Sequence, residues 1–87
     1  MKNVPLINKK SPDAMGLRIG LVVSTYHDFV TGPLRDGALS ALKQARADEK
    51  AVVIIPVPGA FEISFAARQA AESGAFDAIV CLGCIIR

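Results

Sequence analysis

Val57-Pro58-Gly59-Ala60-Phe61-Glu62-Ile63 decides the fold, because it joins an apolar run to an alanine-rich run through one Pro-Gly turn. Upstream, Ala51-Val52-Val53-Ile54-Ile55 is continuously apolar and largely β-branched, which predicts a strand buried on both faces. Downstream, residues 61–73 contain neither glycine nor proline and stop at Gly74, so they read as a helix with Gly74 just past its end. Pro58 halts the strand and Gly59 permits a tight bend. The result is a strand–turn–helix joint with Glu62 in the first helical turn, where a carboxylate favours the positive end of the helix dipole. Such joints matter chemically, because ligands of open parallel sheets collect at the carboxyl ends of strands, where helix-terminal N–H groups are unpaired. Ala60 and Phe61 are the candidate donors and Glu62 a charge-assisted acceptor for hydroxyls; the structural alternative is that Glu62 only caps its helix.

The rest of the chain extends this pattern in both directions. Arg18-Ile19-Gly20-Leu21-Val22-Val23-Ser24 is apolar on consecutive positions and predicts a first, central strand. A polar turn, Ser24-Thr25-Tyr26-His27-Asp28, follows it. Leu34, Ala38, Ala41, Leu42 and Ala45 recur near the helical period, and Pro33 belongs in a first turn, so the helix is expected to begin near Thr31 with Asp28 or Thr31 as its cap. Residues 46–50 form a charged connection. In the second helix, Ile63, Ala66, Ala67 and Ala70 can face the sheet. Residues 77–84 predict a third, buried strand. The order β-α-β-α-β with right-handed crossovers gives a three-stranded parallel sheet with helices on its faces, the first part of a flavodoxin-like three-layer α/β sandwich. Residues 1–17, with Pro5, Pro12 and Gly16, read as a loose arm ahead of the incomplete α/β domain of 18–87.

Composition narrows the function classes. The 87 residues suffice for one small domain, and 52% hydrophobic content with mean hydropathy +0.40 implies apolar surface meant for something outside the chain. A net charge of +2, from scattered basic residues without interleaved aromatics, argues against nucleic acid. No apolar run reaches membrane-spanning length, and the first ten residues lack the apolar core of a signal peptide, so a cytoplasmic location is expected. Cys81-Leu82-Gly83-Cys84 has redox-motif spacing but falls in a strand, where residues three apart point to opposite faces; plain packing cysteines are expected. With one histidine and two opposed cysteines, no zinc site is expected. G-x-G-x-x-G, G-x-x-x-x-G-K-[ST] and G-x-S-x-G are all missing, which removes the familiar nucleotide cradles and the Ser-centred triad.

Three segments should therefore converge on one sheet edge. The first turn supplies Tyr26, a face for stacking a planar ring, with His27 beside it as a possible acid, base or hydrogen-bonding group. The joint supplies Ala60, Phe61 and Glu62. The end of the third strand supplies backbone groups at Cys84, Ile85 and Ile86, suited to the edge of a heterocycle.

At this point the sequence resembles the lumazine synthase family. Three blocks carry the resemblance across nearly all of residues 18–87: Arg18-Ile19-Gly20-Leu21-Val22-Val23 with Tyr26-His27-Asp28-Phe29-Val30-Thr31, Leu34 and Gly37-Ala38; Val57-Pro58-Gly59-Ala60-Phe61-Glu62-Ile63; and Leu82-Gly83-Cys84-Ile85-Ile86-Arg87. Tyr26-His27 stands where the family usually has Phe-Asn, and Ser64 where a proline commonly follows the Glu-Ile pair. The resemblance implies a cofactor-free condensation of 5-amino-6-(D-ribitylamino)uracil with 3,4-dihydroxy-2-butanone 4-phosphate, releasing phosphate and water. It implies that Tyr26 stacks on the pyrimidine, Glu62 binds the ribityl chain, Ala60 and Phe61 give backbone contacts, and Cys84, Ile85 and Ile86 meet the pyrimidine edge. It further implies a pentamer-based homo-oligomer with sites between adjacent subunits. The phosphate-binding residues and the proton-transferring histidine are placed beyond Arg87, so the 87-residue chain alone, read as an N-terminal portion, holds no catalytic residue and is expected to be inactive. Two other classes remain open: a non-catalytic protein binding a ribitylated or flavin-like ligand or serving oligomer assembly, and a generic flavodoxin-like nucleotide-binding domain, which lacks its phosphate loop.

Overall fold

The computed structural model describes residues 13–86. Three strands and two main helices alternate: β1 (Ile19–Ser24), α1 (Asp28–Gln44), β2 (Val52–Val57), α2 (Phe61–Glu72) and β3 (Ala78–Leu82), with a short 3-10 turn at Glu49–Ala51 before β2. The sheet is parallel in the order β2-β1-β3. Because the chain steps from β1 to one side and then crosses back, two right-handed crossovers put α1 and α2 on opposite faces. This is the expected β-α-β-α-β portion of a flavodoxin-like sheet. Of the expected arm at 1–17, residues 1–12 lie outside the described residues. Ala14 is buried, and its N–H donates to the Ala45 carbonyl at 2.7 Å, tying this segment to the end of α1.

The core is β1. All six of its residues are buried, with Leu21 and Val22, which point to opposite faces, both wholly inaccessible. Its predicted central place follows from that continuous apolar run. Gly20 lets the Phe76 ring lie close over β1: a Cβ there would lie 3.3 Å from the ring, which would have to give by a few tenths of an ångström.

The other two strands differ from expectation. The apolar runs at 51–55 and 77–84 predict buried strands, yet β2 alternates between half-buried and exposed until Val57, and β3 is exposed or half-buried throughout. Each is an edge strand among the described residues, with one neighbour rather than two. Ala51 belongs to the 3-10 turn, and β3 is shorter than 77–84 at both ends. Cys81 is consequently exposed and Cys84 half-buried, both as free thiols, rather than buried packing residues. Pro56 lies inside β2. The Val57 carbonyl faces β1, where it accepts from the Thr25 N–H at 2.8 Å, so Pro56 presents its missing donor to the open edge.

The first helix also starts earlier than Pro33 suggested. It begins at Asp28, the preceding His27 takes the N-cap place without a side-chain capping bond, and Pro33 sits inside the helix. The hydrogen bond Pro33 cannot make is the one to the Phe29 carbonyl, within the exposed opening turn of α1. Of the predicted buried face, Ala38, Leu42 and Ala45 are half-buried, while Leu34 and Ala41 remain exposed and Thr31 is the most buried residue of α1. α2 follows its pattern more closely: Ala70 is buried, Ile63, Ala66 and Ala67 are half-buried, and Gly74 takes φ +73° just beyond the end.

One ion pair fixes the start of the sheet. Asp77, just before β3, accepts from the Arg18 backbone N–H at 2.7 Å and from its guanidinium at 3.1 and 3.3 Å, while the Asp77 N–H returns to the Arg18 carbonyl at 2.7 Å. The guanidinium hydrogen bond, then the backbone one, hold the Asp77 carboxyl below its ordinary value. A depressed folded value stabilises the fold above the unfolded pKa, about 3.9 for aspartate, and the gain is lost as pH falls through the folded value. Asp77→Asn is therefore expected to lower the urea midpoint at neutral pH, with the difference from wild type closing as the pH drops below the carboxylate range. A gap that stays constant into acid would show that the pair contributes nothing through charge.

Candidate functional site

Parallel strands end on the same edge, so the turn after β1, the joint after β2 and the segment after β3 meet there. Two backbone bonds align the first two. Thr25 N–H donates to the Val57 carbonyl, and Tyr26 N–H donates to the Pro58 carbonyl at 2.9 Å, extending the β1–β2 ladder past the last strand residues. That holds Tyr26 beside the Pro58-Gly59 bend. The following residue, His27, adopts φ 63° and ψ 47°, a left-handed conformation that turns the chain sharply into α1. Its imidazole lies against Tyr26 with ring centroids 4.2 Å apart and tilted, and against Phe29 edge-on at 5.7 Å.

A cleft of about 270 Å³ forms at this junction, lined by Tyr26, His27, Gly59, Ala60, Phe61, Cys84, Ile85 and Ile86. Seven of the eight site residues singled out from sequence line this cleft together. Glu62, the eighth, is not in its wall; it is exposed in the first turn of α2, with Oε1 above the Gly59 backbone, where a Cβ would come within 3.1 Å of it. Ala60 occupies the N-cap place of α2 without a side-chain capping bond. Among the described residues neither the Ala60 nor the Phe61 N–H donates to the backbone, so both remain available at the positive end of the helix.

The cleft has one strongly aromatic, open rim. Tyr26 is 69% and Phe61 88% exposed, which leaves both rings free to lie against a planar group. Its volume suits a single small ring system and not a dinucleotide. Larger hollows lie over the uncovered sheet, including one of about 580 Å³ between α1 and β3 among Leu17, Ile19, Leu42 and Val80. None of them gathers the carboxyl ends of all three strands beside unpaired helix-terminal N–H groups, so the strand-end cleft is the better chemical candidate. Gly59, noted in the sequence only as a bend, is a wall residue as well. Gly83 and Ile63 support the cleft from behind, and neither carries a sequence signal for that role beyond glycine at a strand end.

Residues 16–87 match the family model described as 6,7-dimethyl-8-ribityllumazine synthase. The chain belongs to that family. A 6,7-dimethyl-8-ribityllumazine synthase of Phocaeicola vulgatus is 42% identical over 76 residues, which cover 87% of this chain and 45% of the relative. One of Syntrophus aciditrophicus is 39% identical over 84 residues, covering 97% of this chain and 54% of the relative. The chain thus spans about half the length of these curated lumazine synthases. The left-handed conformation of His27 is one in which histidine, like asparagine, is enriched among residues other than glycine. No helix among the described residues is long and apolar enough to cross a membrane.

Proposed function

We propose that this chain forms the pyrimidine-side half of a lumazine synthase site, within a protein that condenses 5-amino-6-(D-ribitylamino)uracil with 3,4-dihydroxy-2-butanone 4-phosphate. The observation that carries the proposal is the single-ring-sized cleft at which all three strand ends meet, with an aromatic face, free helix-terminal donors and a carboxylate at its margin. Tyr26 stacks on the pyrimidine ring. The backbone of Cys84, Ile85 and Ile86 reads the ring's edge as a neighbouring strand would. Ala60 and Phe61 donate N–H groups, and Glu62 accepts from the ribityl hydroxyls, a charge-assisted bond that a neutral acceptor would not match.

These residues bind and orient; none of them is assigned proton transfer to the second substrate. Phosphate contacts and acid–base help belong to segments that the family resemblance places beyond Arg87. Holding the amine and the carbonyl compound in line is itself a large part of such a condensation, since orientation alone can supply about 7–11 kcal/mol of a bimolecular barrier. The exposed Phe61 and Ile85 at the cleft, with Phe65 one turn further along α2, favour a homo-oligomer, pentamer-based as the family resemblance implies, in which a neighbouring subunit covers this rim.

The test is to supply both substrates to the full-length protein that bears this segment and follow lumazine formation by its absorbance. Turnover is expected. Tight lumazine binding without turnover would replace the enzyme reading with a binding role, and neither binding nor turnover would remove the pyrimidine assignment altogether.

A further inference from the structure

We propose that Ile63 is a positioning residue whose terminal methyl, seated on Gly83, sets the spacing between the two walls of the cleft; this rests on the cleft being the pyrimidine site. The walls come from separate elements. Ala60 and Phe61 open α2, whereas Cys84, Ile85 and Ile86 follow β3, and no backbone hydrogen bond joins the two groups among the described residues. What lies between them is a contact. A Cβ built on Gly83 would stand 2.5 Å from Ile63 Cδ1, 3.5 Å from Ser24 Oγ and 3.8 Å from Ala60 Cβ. The first distance is far inside van der Waals contact, so a side chain at 83 would push the Ile63 methyl, the far end of a rotatable side chain, off its seat.

The geometry couples sequence to recognition in a specific way. Ile63 lies one turn into α2, three residues after Ala60, and Gly83 immediately precedes Cys84. A shift of either partner moves a donor wall against an edge-reading wall. Ser24 beneath this contact is 1% exposed, and its hydroxyl has no hydrogen-bond partner among the described residues. No backbone hydrogen bond ties the walls here; α2 also packs against β3 further along, and at the cleft end the contact is that of one side chain against a residue with none.

The test uses the full-length protein and reads the dissociation constant for ribitylaminouracil by calorimetry, with the steady-state KM for the butanone phosphate as an internal reference. Gly83→Ala is expected to weaken pyrimidine binding by about tenfold or more, on the scale that sub-ångström to 1 Å misplacement costs a positioned site, while the phosphate-substrate KM stays within about twofold. Ile63→Val deletes the clashing Cδ1. The double variant Gly83→Ala/Ile63→Val should therefore recover binding, giving a coupling far from additive. Ile63→Ala alone removes the spacer without adding a clash, and should also weaken pyrimidine binding selectively, so the proposal stays testable if Gly83→Ala does not fold. Wild-type-like pyrimidine binding in Gly83→Ala or in Ile63→Ala, or a folded double variant without recovery, would overturn it. Failure of the wild-type protein to bind ribitylaminouracil would instead bring down the functional reading and this inference with it.

Discussion

Leu21→Ala is expected to destabilise the protein by about 2–5 kcal/mol, the range for deleting a leucine side chain from a packed core. Leu21 has no exposed surface, and it lies at the middle of β1, the only strand among the described residues that has neighbours on both sides. Its removal empties space at the centre of the sheet, and the cost within that range depends on how far the half-buried Ala38, Leu42 and Ala45 of α1 relax toward the gap. A domain of this size has about 5–15 kcal/mol in all, so the loss is a large fraction of the total. Urea unfolding of the full-length protein measures it, and a change below about 1 kcal/mol would mean that the core lies elsewhere than β1.

Glu62 separates two readings that the sequence left open. If Glu62 holds ribityl hydroxyls, Glu62→Ala should weaken ribitylaminouracil binding about 10- to 100-fold, from the roughly 1.5–3 kcal/mol typical of hydrogen bonds to a charged group. If it only complements the α2 dipole, the variant should lose about 0.3–1 kcal/mol of stability and bind as before. The exposure of Glu62, and its place over Gly59 rather than within the cleft wall, fit a group that reaches a ligand's flexible chain and not its ring. Paired unfolding and calorimetric titrations decide between these readings. Unchanged affinity with lowered stability would confine Glu62 to its helix.

What was legible in the sequence follows from what local patterns encode. The joint at 57–63 could be read because proline and glycine act on the chain locally, and α2 kept its predicted inward face and its glycine stop. The central place of β1 was readable from its unbroken apolar run. The same reasoning failed for β2, since an apolar run records what a strand can bury and not how many neighbours it acquires. It failed for the start of α1 because Pro33 is compatible with a first turn but is not confined to it, and the left-handed turn at His27 that launches the helix has no capping side chain to announce it. The grouping of the cleft residues was predictable because parallel topology sends every strand end to one edge. The contact of Ile63 with Gly83, and of Phe76 with Gly20, had no such signal; both depend on side chains that meet only after the sheet has formed.

The proline within β2 gives the sheet a direction. Its missing donor interrupts the hydrogen-bonding array on the outer side of β2, and Pro58 follows two residues later, so an incoming strand would find a broken template there. The β3 edge carries no such interruption from Ala78 to Leu82. Among the described residues, strand-to-strand polymerisation is thereby disfavoured on the β2 flank, while the β3 flank keeps an unbroken row of donors and acceptors.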